Sequence, residues 1–322
     1  MIACGITVAQ AEIKVGIAGP LSGSSLALGE QQEIGALKAI GHLNDKGGVL
    51  GKEIVAISLD DACEPPQAKA VARQMVKEGV IFIVGHVCSG ASLAVSKIYE
   101  KAGIIMISPA STNPKVTDEG GPNVFRVIGR VDQQGTIAGD YLANNYSNSK
   151  IAIIHDGEAY GLGLAEYTKR QLNKRGLTEV MFDSYKKDQK DYRPIVDKLV
   201  NKKTDILYAG GYSGDIGIIL RQVKKELPNL RLFSGDSLVN AEFMFVAGEA
   251  SEGTYFSFGP DIRMKPDAAD VVAAIREEDD YEPEGYTLYS YGAVQAWAQA
   301  VEKAGSLKPK AVIDALRAGS FD

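Results

Sequence analysis

The sequence predicts an α/β fold, with two doubly wound parallel-sheet domains joined by a multi-strand hinge. Short apolar runs alternate with helix-length amphipathic stretches, the pattern of a parallel sheet covered by helices on both faces. The alternation pauses over residues 114–122, around Gly120-Gly121, and then restarts. The 322-residue length suits two domains of ordinary size.

The first series has strands over 13–17, 54–59, 80–84 and 104–107, with helices over 28–43, 67–77 and 93–101. Residues 114–122 read as loop, and 124–127 as a strand. The second series has helices over 134–145, 166–174, 195–201, 216–225 and 242–247. Its strands are 151–154, 180–185, 206–208 and 231–233. One hinge crossing is expected near residues 127–132. A strand over 253–260 ends in Gly259-Pro260, where the chain is expected to cross back. Helices over 268–277, 288–304 and 309–318 then complete the first domain. The expected division is 12–130 plus 260–322 for one lobe and 131–259 for the other.

Composition narrows the function classes. The net charge is −6, which leaves no basic footprint for nucleic acid. No apolar run approaches the ~18–20 residues of a membrane span. Residues 1–11 read MIACGITVAQA, and Ala9-Gln10-Ala11 has the small-x-small form of an export-signal cleavage site. The expectation is the tail of a signal peptide; the alternative is a frayed terminus. Cys4 lies within it. Two cysteines remain, Cys63 and Cys88. They would bridge in an oxidising compartment and stay as buried thiols in a reducing one.

The turn Gly85-His86-Val87-Cys88-Ser89-Gly90-Ala91 joins an apolar run to a helix start. Helix starts offer unpaired N–H groups to anions. A second turn, Ser108-Pro109-Ala110-Ser111-Thr112-Asn113, follows the next strand. Parallel neighbours would open both turns at one sheet edge, a carboxylate site of hydroxyls and N–H groups. Tyr160, Tyr212 and Asp236 follow strands of the second series, and would supply phenols and an acid for an ammonium. A cleft with one kind of group on each side suits a zwitterion.

Other motifs carry less. Asp60-Asp61 reads as loop and helix capping rather than a metal site. His42, His86 and His155 have no metal spacing. His86 beside Cys88 could form a nucleophilic pair, but a bridged Cys88 would not react. Gly161-Leu162-Gly163 lacks the third glycine of a dinucleotide loop, since Glu166 stands there. No catalytic residue, metal or cofactor is expected.

Several segments together carry a resemblance: Leu43-Asn44-Asp45-Lys46-Gly47-Gly48 with Gly51, Asp60-Asp61-Ala62-Cys63, Gly85-His86-Val87-Cys88-Ser89 and Pro109-Ala110-Ser111-Thr112. Further on come Ile154-His155-Asp156 with Tyr160-Gly161, Gly210-Gly211-Tyr212, and Ala247-Gly248-Glu249 with Glu252-Gly253. In this order the chain resembles the periplasmic branched-chain amino acid (Leu/Ile/Val) binding proteins, the substrate-binding components of ABC transporters. The resemblance implies the type I periplasmic binding protein fold, with three crossing strands and closure around one amino acid. Ser89 and Thr112 would hold the α-carboxylate. The Ala110 carbonyl and the Thr112 hydroxyl would accept from the ammonium, with a Ser111 backbone contact. Tyr160 and Tyr212 would cover the ligand, Asp236 would meet the ammonium, and Cys63–Cys88 matches the family disulfide.

Four positions depart from the usual pattern. Leu28 stands where an aromatic often covers the side chain, Val87 replaces Leu, Tyr286 replaces Phe, and Asp236 replaces Glu. One methylene is worth about 1–3 kcal/mol of discrimination in such pockets, so these positions bear on which amino acid is held. Small neutral amino acids, proline and γ-aminobutyrate are the alternatives. The resemblance implies an exported, periplasmic monomer that delivers its ligand to a permease, with no direct membrane insertion. It also implies that the family's last crossover segment, beyond Asp322, is absent here, exposing a sheet edge. A sensor domain of the same fold and an α/β enzyme are the other classes; no helix-turn-helix, membrane span or nucleophile–base pair supports them.

Overall fold

In the computed structural model, residues 12–321 are described; the signal-peptide expectation falls outside them. Strands β1 (Ile13–Gly19), β2 (Ile54–Asp60), β3 (Phe82–Gly85), β4 (Ile105–Ser108) and β5 (Val124–Arg126) form one parallel sheet in the order β2-β1-β3-β4-β5. Helices α1 (Leu26–Asp45), α2 (Pro65–Glu78), α3 (Ser89–Ala102) and α4 (Lys115–Asp118) belong to this stretch. The second sheet is also parallel. It contains β6 (Ile151–His155), β7 (Met181–Ser184), β8 (Ile206–Gly210), β9 (Arg231–Ser234) and β10 (Tyr255–Phe256), in the order β10-β9-β8-β6-β7. Its helices are α5 (Val131–Asn145), α6 (Ala159–Lys174), α7 (Arg193–Lys202), α8 (Ser213–Val223) and α9 (Ala241–Ala247). Then come α10 (Ala269–Glu278), α11 (Thr287–Ala304) and α12 (Pro309–Ala318). Each sheet with its helices makes a lobe. The α/β class and the paired parallel sheets agree with the sequence expectation.

Each sheet is covered on both faces. On the first, α1, α11 and α12 bury Ile40, Trp297 and Val312 with Val15, Phe82 and Ile107. Trp297 stacks on Phe82, with ring centroids 4.7 Å apart. The other face carries α2 and α3. Helix α2 shows how local sequence sets this. Pro65 lies in its first turn, and Gly79 ends it at φ 77°, a left-handed value that glycine adopts without steric cost. Ala68, Val71, Ala72 and Met75 are its buried residues, one face at helical spacing. Burying Met75 and Val71 contributes roughly 1.5–3 kcal/mol each. Met75→Ala would cost about 2–5 kcal/mol.

Three differences have local causes. Residues 114–122 contain α4, started by Asn113, whose Oδ1 accepts from Lys115 N at 3.0 Å. The strand expected over 253–260 is only Tyr255–Phe256, because the chain turns back toward the first lobe after Ser257 N bonds the Ser234 carbonyl. Helices α3, α6 and α8 begin earlier than their apolar periodicity, since Ser89-Gly90-Ala91, Ala159-Tyr160-Gly161 and Ser213-Gly214-Asp215 form their first turns. The chain passes between lobes at residues 127–130 and again after Ser257. No described helix is long and apolar enough to cross a membrane.

Candidate functional site between the lobes

Parallel order places the β3–α3 and β4–α4 turns side by side at the carboxyl edge of the first sheet. Ser89 opens α3 and is buried; its Oγ accepts from Asn113 N at 3.2 Å. Thr112 is fully buried, and its Oγ1 has no protein partner. A buried hydroxyl left unpaired is costly, and a polar partner at this position would remove that cost.

Ser111 differs from its neighbours. Its N–H donates to Ser108 Oγ at 2.8 Å, and its carbonyl accepts from Arg126 at 3.0 Å. Its Oγ bonds the His86 and Val87 carbonyls. Ser111 thus ties the two turns together. Arg126 also reaches the carbonyls of Asn113 and Pro114, holding the second turn from below.

The facing wall is built on the second sheet. Asp236 follows β9 and is 1% exposed. Its Oδ1 accepts from Tyr160 at 2.9 Å and Gln134 at 3.0 Å; its Oδ2 accepts from Tyr286 at 2.7 Å. Burial pushes its carboxyl up, against the pull of those three donors. Among the described residues its side-chain donors are all neutral, and no ion pair reaches it within hydrogen-bond distance.

Glycines shape this wall at two places. A Cβ at Gly235 would lie 2.6 Å from the Tyr160 hydroxyl, so glycine leaves room for that hydroxyl beside Asp236. A Cβ at Gly161 would lie 2.7 Å from the Gly210 carbonyl. The Gly161-Leu162-Gly163 segment is therefore a close helix–strand contact, and nothing in it cradles a phosphate.

Leu28, Val87, Ala110 and Tyr286 share one buried apolar cluster, with Tyr212 and Phe258 packed against it. The Tyr160 and Tyr212 rings lie 5.3 Å apart. A cavity of about 260 Å³ opens between the lobes, lined by these two tyrosines, both bridged cysteines, Ser24, Ser25 and the charged residues Glu64, Glu158, Lys187, Asp188 and Asp215.

Cys63 and Cys88 are bridged, with Cα atoms 5.4 Å apart. Beside the bridge, His86 Nδ1 donates to Asp61 Oδ2 at 2.5 Å, and Nε2 is hydrogen-bonded to the Tyr99 hydroxyl at 3.0 Å. All three side chains are buried. This corrects one sequence reading. Asp60 and Asp61 cap the loop through Leu21, Ala62 and Cys63 N–H groups, but they do not cap α2, whose N-cap is Glu64. His86 and Cys88 form no nucleophilic pair, as expected of a bridged cysteine: Cys88 is in the bridge and both His86 nitrogens are bonded. Among the described residues no acid, His or Cys cluster could hold a metal.

Several bonds join the lobes across the cleft. Tyr286 reaches Asp236, while its own N–H donates to Gln31 Oε1 on α1 at 3.0 Å. Gln31 Nε2 donates to the Val239 carbonyl, and Asn113 Nδ2 to the Ala159 carbonyl. Ser24 bonds Asp188, and Lys187 pairs with Glu64 and Glu158. Gln134, Gln31, Lys187 and Glu64 were not singled out from the sequence. They carry no motif, and their partners are distant in the chain.

The profile described as periplasmic binding protein matches residues 12–322. The chain is 41% identical over 309 residues to a Leu/Ile/Val-binding protein homolog of Brucella suis biovar 1 (strain 1330), covering 96% of this chain and 83% of that one. It is 36% identical to a leucine-, isoleucine-, valine-, threonine-, and alanine-binding protein of Pseudomonas aeruginosa, covering 96% and 83%. Among solved structures, a leucine binding protein of Thermotoga maritima superposes with a TM-score of 0.86 at 27% identity, covering 95% and 87%. The branched-chain amino acid transporter substrate binding protein of Streptococcus pneumoniae, in complex with isoleucine, gives 0.84 at 25% identity, covering 95% and 88%. The chain belongs to the periplasmic binding protein family.

Proposed function

We propose that this protein captures a neutral L-amino acid between its lobes, branched-chain first, and delivers it to an ABC permease. The observation that carries this reading is the opposition across the cleft: a buried carboxylate, Asp236, with neutral donors alone, against the unpartnered Thr112 hydroxyl beside Ser89. An ammonium supplies the missing cation, and a carboxylate supplies the missing acceptor.

In this reading Ser89, Ala110 and Thr112 hold the amino-acid backbone, and Ser111 holds the turn. Tyr160 and Tyr212 cover the ligand. Leu28, Val87 and Tyr286 meet its side chain. The lobes are residues 12–130 plus 260–322, and 131–259. The protein works in the periplasm as a monomer, and closure, not bond making, is its working step. The relatives named above bind branched-chain amino acids by their descriptions, which supports the ligand class.

One observation favours small neutral side chains as a second reading. The Tyr286 hydroxyl reaches Asp236 itself, so its ring stands close to where the ligand's Cα would lie. Calorimetry with L-leucine, L-isoleucine, L-valine, L-threonine, L-alanine and L-proline tests both. Micromolar or tighter binding by at least one supports the proposal; tightest binding by alanine or threonine selects the second reading. Binding by none rejects it.

A further inference from the structure

We propose that Gln134 and Ser257 are positioning residues for the ligand's ammonium, acting through Asp236 and tying that carboxylate to both interlobe crossings. The inference rests on the amino-acid reading above and adds residues to it. Gln134 lies in the first turn of α5, just past the crossing at residues 127–130. It is 9% exposed, although it is a polar residue at a helix start. Its Nε2 donates to Asp236 Oδ1 at 3.0 Å, and its Oε1 accepts from Ser257 Oγ at 2.7 Å. A carboxylate only accepts, so the amide must turn its NH₂ toward Asp236 and its oxygen toward a donor. Ser257 is that donor. It follows β10, where the chain begins its second crossing, and its N–H is fixed to the Ser234 carbonyl at 3.1 Å. Ser234 ends β9, two residues before Asp236.

The donors to Asp236 therefore fall into two classes. Gln134 and Tyr160 belong to the second lobe and travel with the carboxylate. Tyr286 belongs to the first lobe and is bonded only when the lobes meet. The lobe-two pair presets the orientation of Asp236 before closure. Preset geometry saves the ordering cost when the ammonium arrives.

The consequence is readable in the pH dependence of binding. The titratable groups facing Asp236 are phenols: Tyr160, Tyr208, Tyr212, Tyr286 and Tyr289, all held above the ordinary phenol range, first by burial. Gln134 and Ser257 are uncharged. Asp236 must be ionised to hold an ammonium. Each donor removed raises its carboxyl further, so a proton competes with the ligand at higher pH. Asp156, pushed up to about 7 by burial, also titrates in this range. It is common to every variant and cancels in comparisons between them.

The test is calorimetry from about pH 5 to 9, a range above the ordinary carboxyl and short of the phenols. The probe is the tightest binder among L-leucine, L-isoleucine, L-valine, L-threonine and L-alanine. Gln134→Met should lose roughly tenfold or more in affinity, as one hydrogen bond to a charged group implies. The loss should deepen as pH falls, moving the affinity–pH curve to higher pH. Ser257→Ala should move it the same way by less. A Gln134→Met loss that is equal at every pH, or absent, overturns the proposal while leaving the amino-acid reading intact. If Gln134→Met fails to fold, an unmoved curve in Ser257→Ala overturns it. A wild-type protein that binds none of the probes overturns both.

Discussion

Removing the Cys63–Cys88 bridge should weaken the fold while leaving ligand affinity almost unchanged. The bridge spans 25 residues. In the chain-entropy treatment a loop of that length contributes about 3.5 kcal/mol, by restricting the unfolded chain. Spread over the unfolding entropy of either one lobe or the whole chain, this is a fall in Tm of roughly 5–9 °C. Affinity depends instead on the shape of the turn carrying Ser89, which the folded structure holds by other means. His86 is bonded to Asp61 from one ring nitrogen and to Tyr99 from the other. The His86 carbonyl accepts from Ser108 at 2.7 Å and from Ser111 at 3.0 Å. The bridge and the Asp61–His86 contact join the same two loops, one covalently and one by hydrogen bond. The assay is paired melting and calorimetry on a Cys63→Ser/Cys88→Ser double variant, with His86→Gln for contrast. The double variant should melt lower and bind within about threefold of wild type, under ~0.7 kcal/mol. His86→Gln should lose affinity even with the bridge intact. If the double variant loses affinity in step with its stability, the hydrogen bonds do not hold the turn and the reasoning fails.

Asp236→Asn should lower affinity on the order of 10²-fold, about 3 kcal/mol, because the ammonium loses its counter-charge. The ligand-free melting temperature should hold or rise, since a buried carboxylate without a cation is removed; equal affinity by calorimetry would show that the ammonium is met elsewhere. Tyr286→Phe removes an interlobe bond to Asp236 worth about 1–3 kcal/mol. Small-angle scattering of the ligand-free protein should show a larger radius of gyration, and an unchanged radius would mean that other contacts hold the lobes together. Lys187→Met breaks pairs with Glu64 and Glu158 whose side chains are 44% and 40% exposed. Such exposed pairs are worth at most about 1 kcal/mol and are screened by salt, so affinity should fall less than about fivefold and the difference should vanish at high salt. Burial raises the Asp156 carboxyl from 3.8 to about 7, while its Oδ2 has no partner. The folded state then binds the proton more tightly than the unfolded one, so stability falls as pH rises from about 4 to 7, by up to roughly 4 kcal/mol. Asp156→Asn should therefore melt higher than wild type above pH ~7 and equally below pH ~4; a gain of the same size at both ends would refute this assignment.

The central strands were legible because they are short apolar runs buried on both faces, as Phe82–Gly85 and Ile105–Ser108 are. The helices were legible where an apolar face repeats, as at Ala68, Val71, Ala72 and Met75. Legibility ended at the cleft. The first turns of α3, α6 and α8 lack an apolar repeat, and Gly90, Tyr160 and Asp215 in them line the interlobe cavity. Periodicity therefore starts a turn late, at the place where Ser89, Tyr160 and Ser213 stand. A late-starting helix after an apolar strand is itself a sign of a site. Gln134 gave no such sign. Its partners lie 102 and 123 residues away, and a glutamine at a helix start, beside Gln133, reads as surface. Asp61 was read as a cap because local capping is what adjacent acids do; its bond to His86, 25 residues on, depends on strand order.

Strand order and hinge geometry also change how the four departures from the pattern that the resemblance implies should be counted. In the sequence, Asp236 and Tyr286 are separate departures, one shorter by a methylene and one longer by a hydroxyl. In the fold the added hydroxyl bonds the shortened acid at 2.7 Å. They act as one exchange: reach removed from one wall is returned from the other. Residues in direct contact do not contribute additively, so neither substitution alone reports the pocket's preference. Restoring Glu at position 236 while Tyr286 remains would crowd the same space, and restoring Phe at 286 while Asp236 remains would leave Oδ2 short of a donor. Leu28 and Val87 share the apolar cluster with Tyr286 but make no hydrogen bond to the acid. In the proposed reading their effect on the ligand is one of shape, whereas the Asp236–Tyr286 bond would also join the lobes around it.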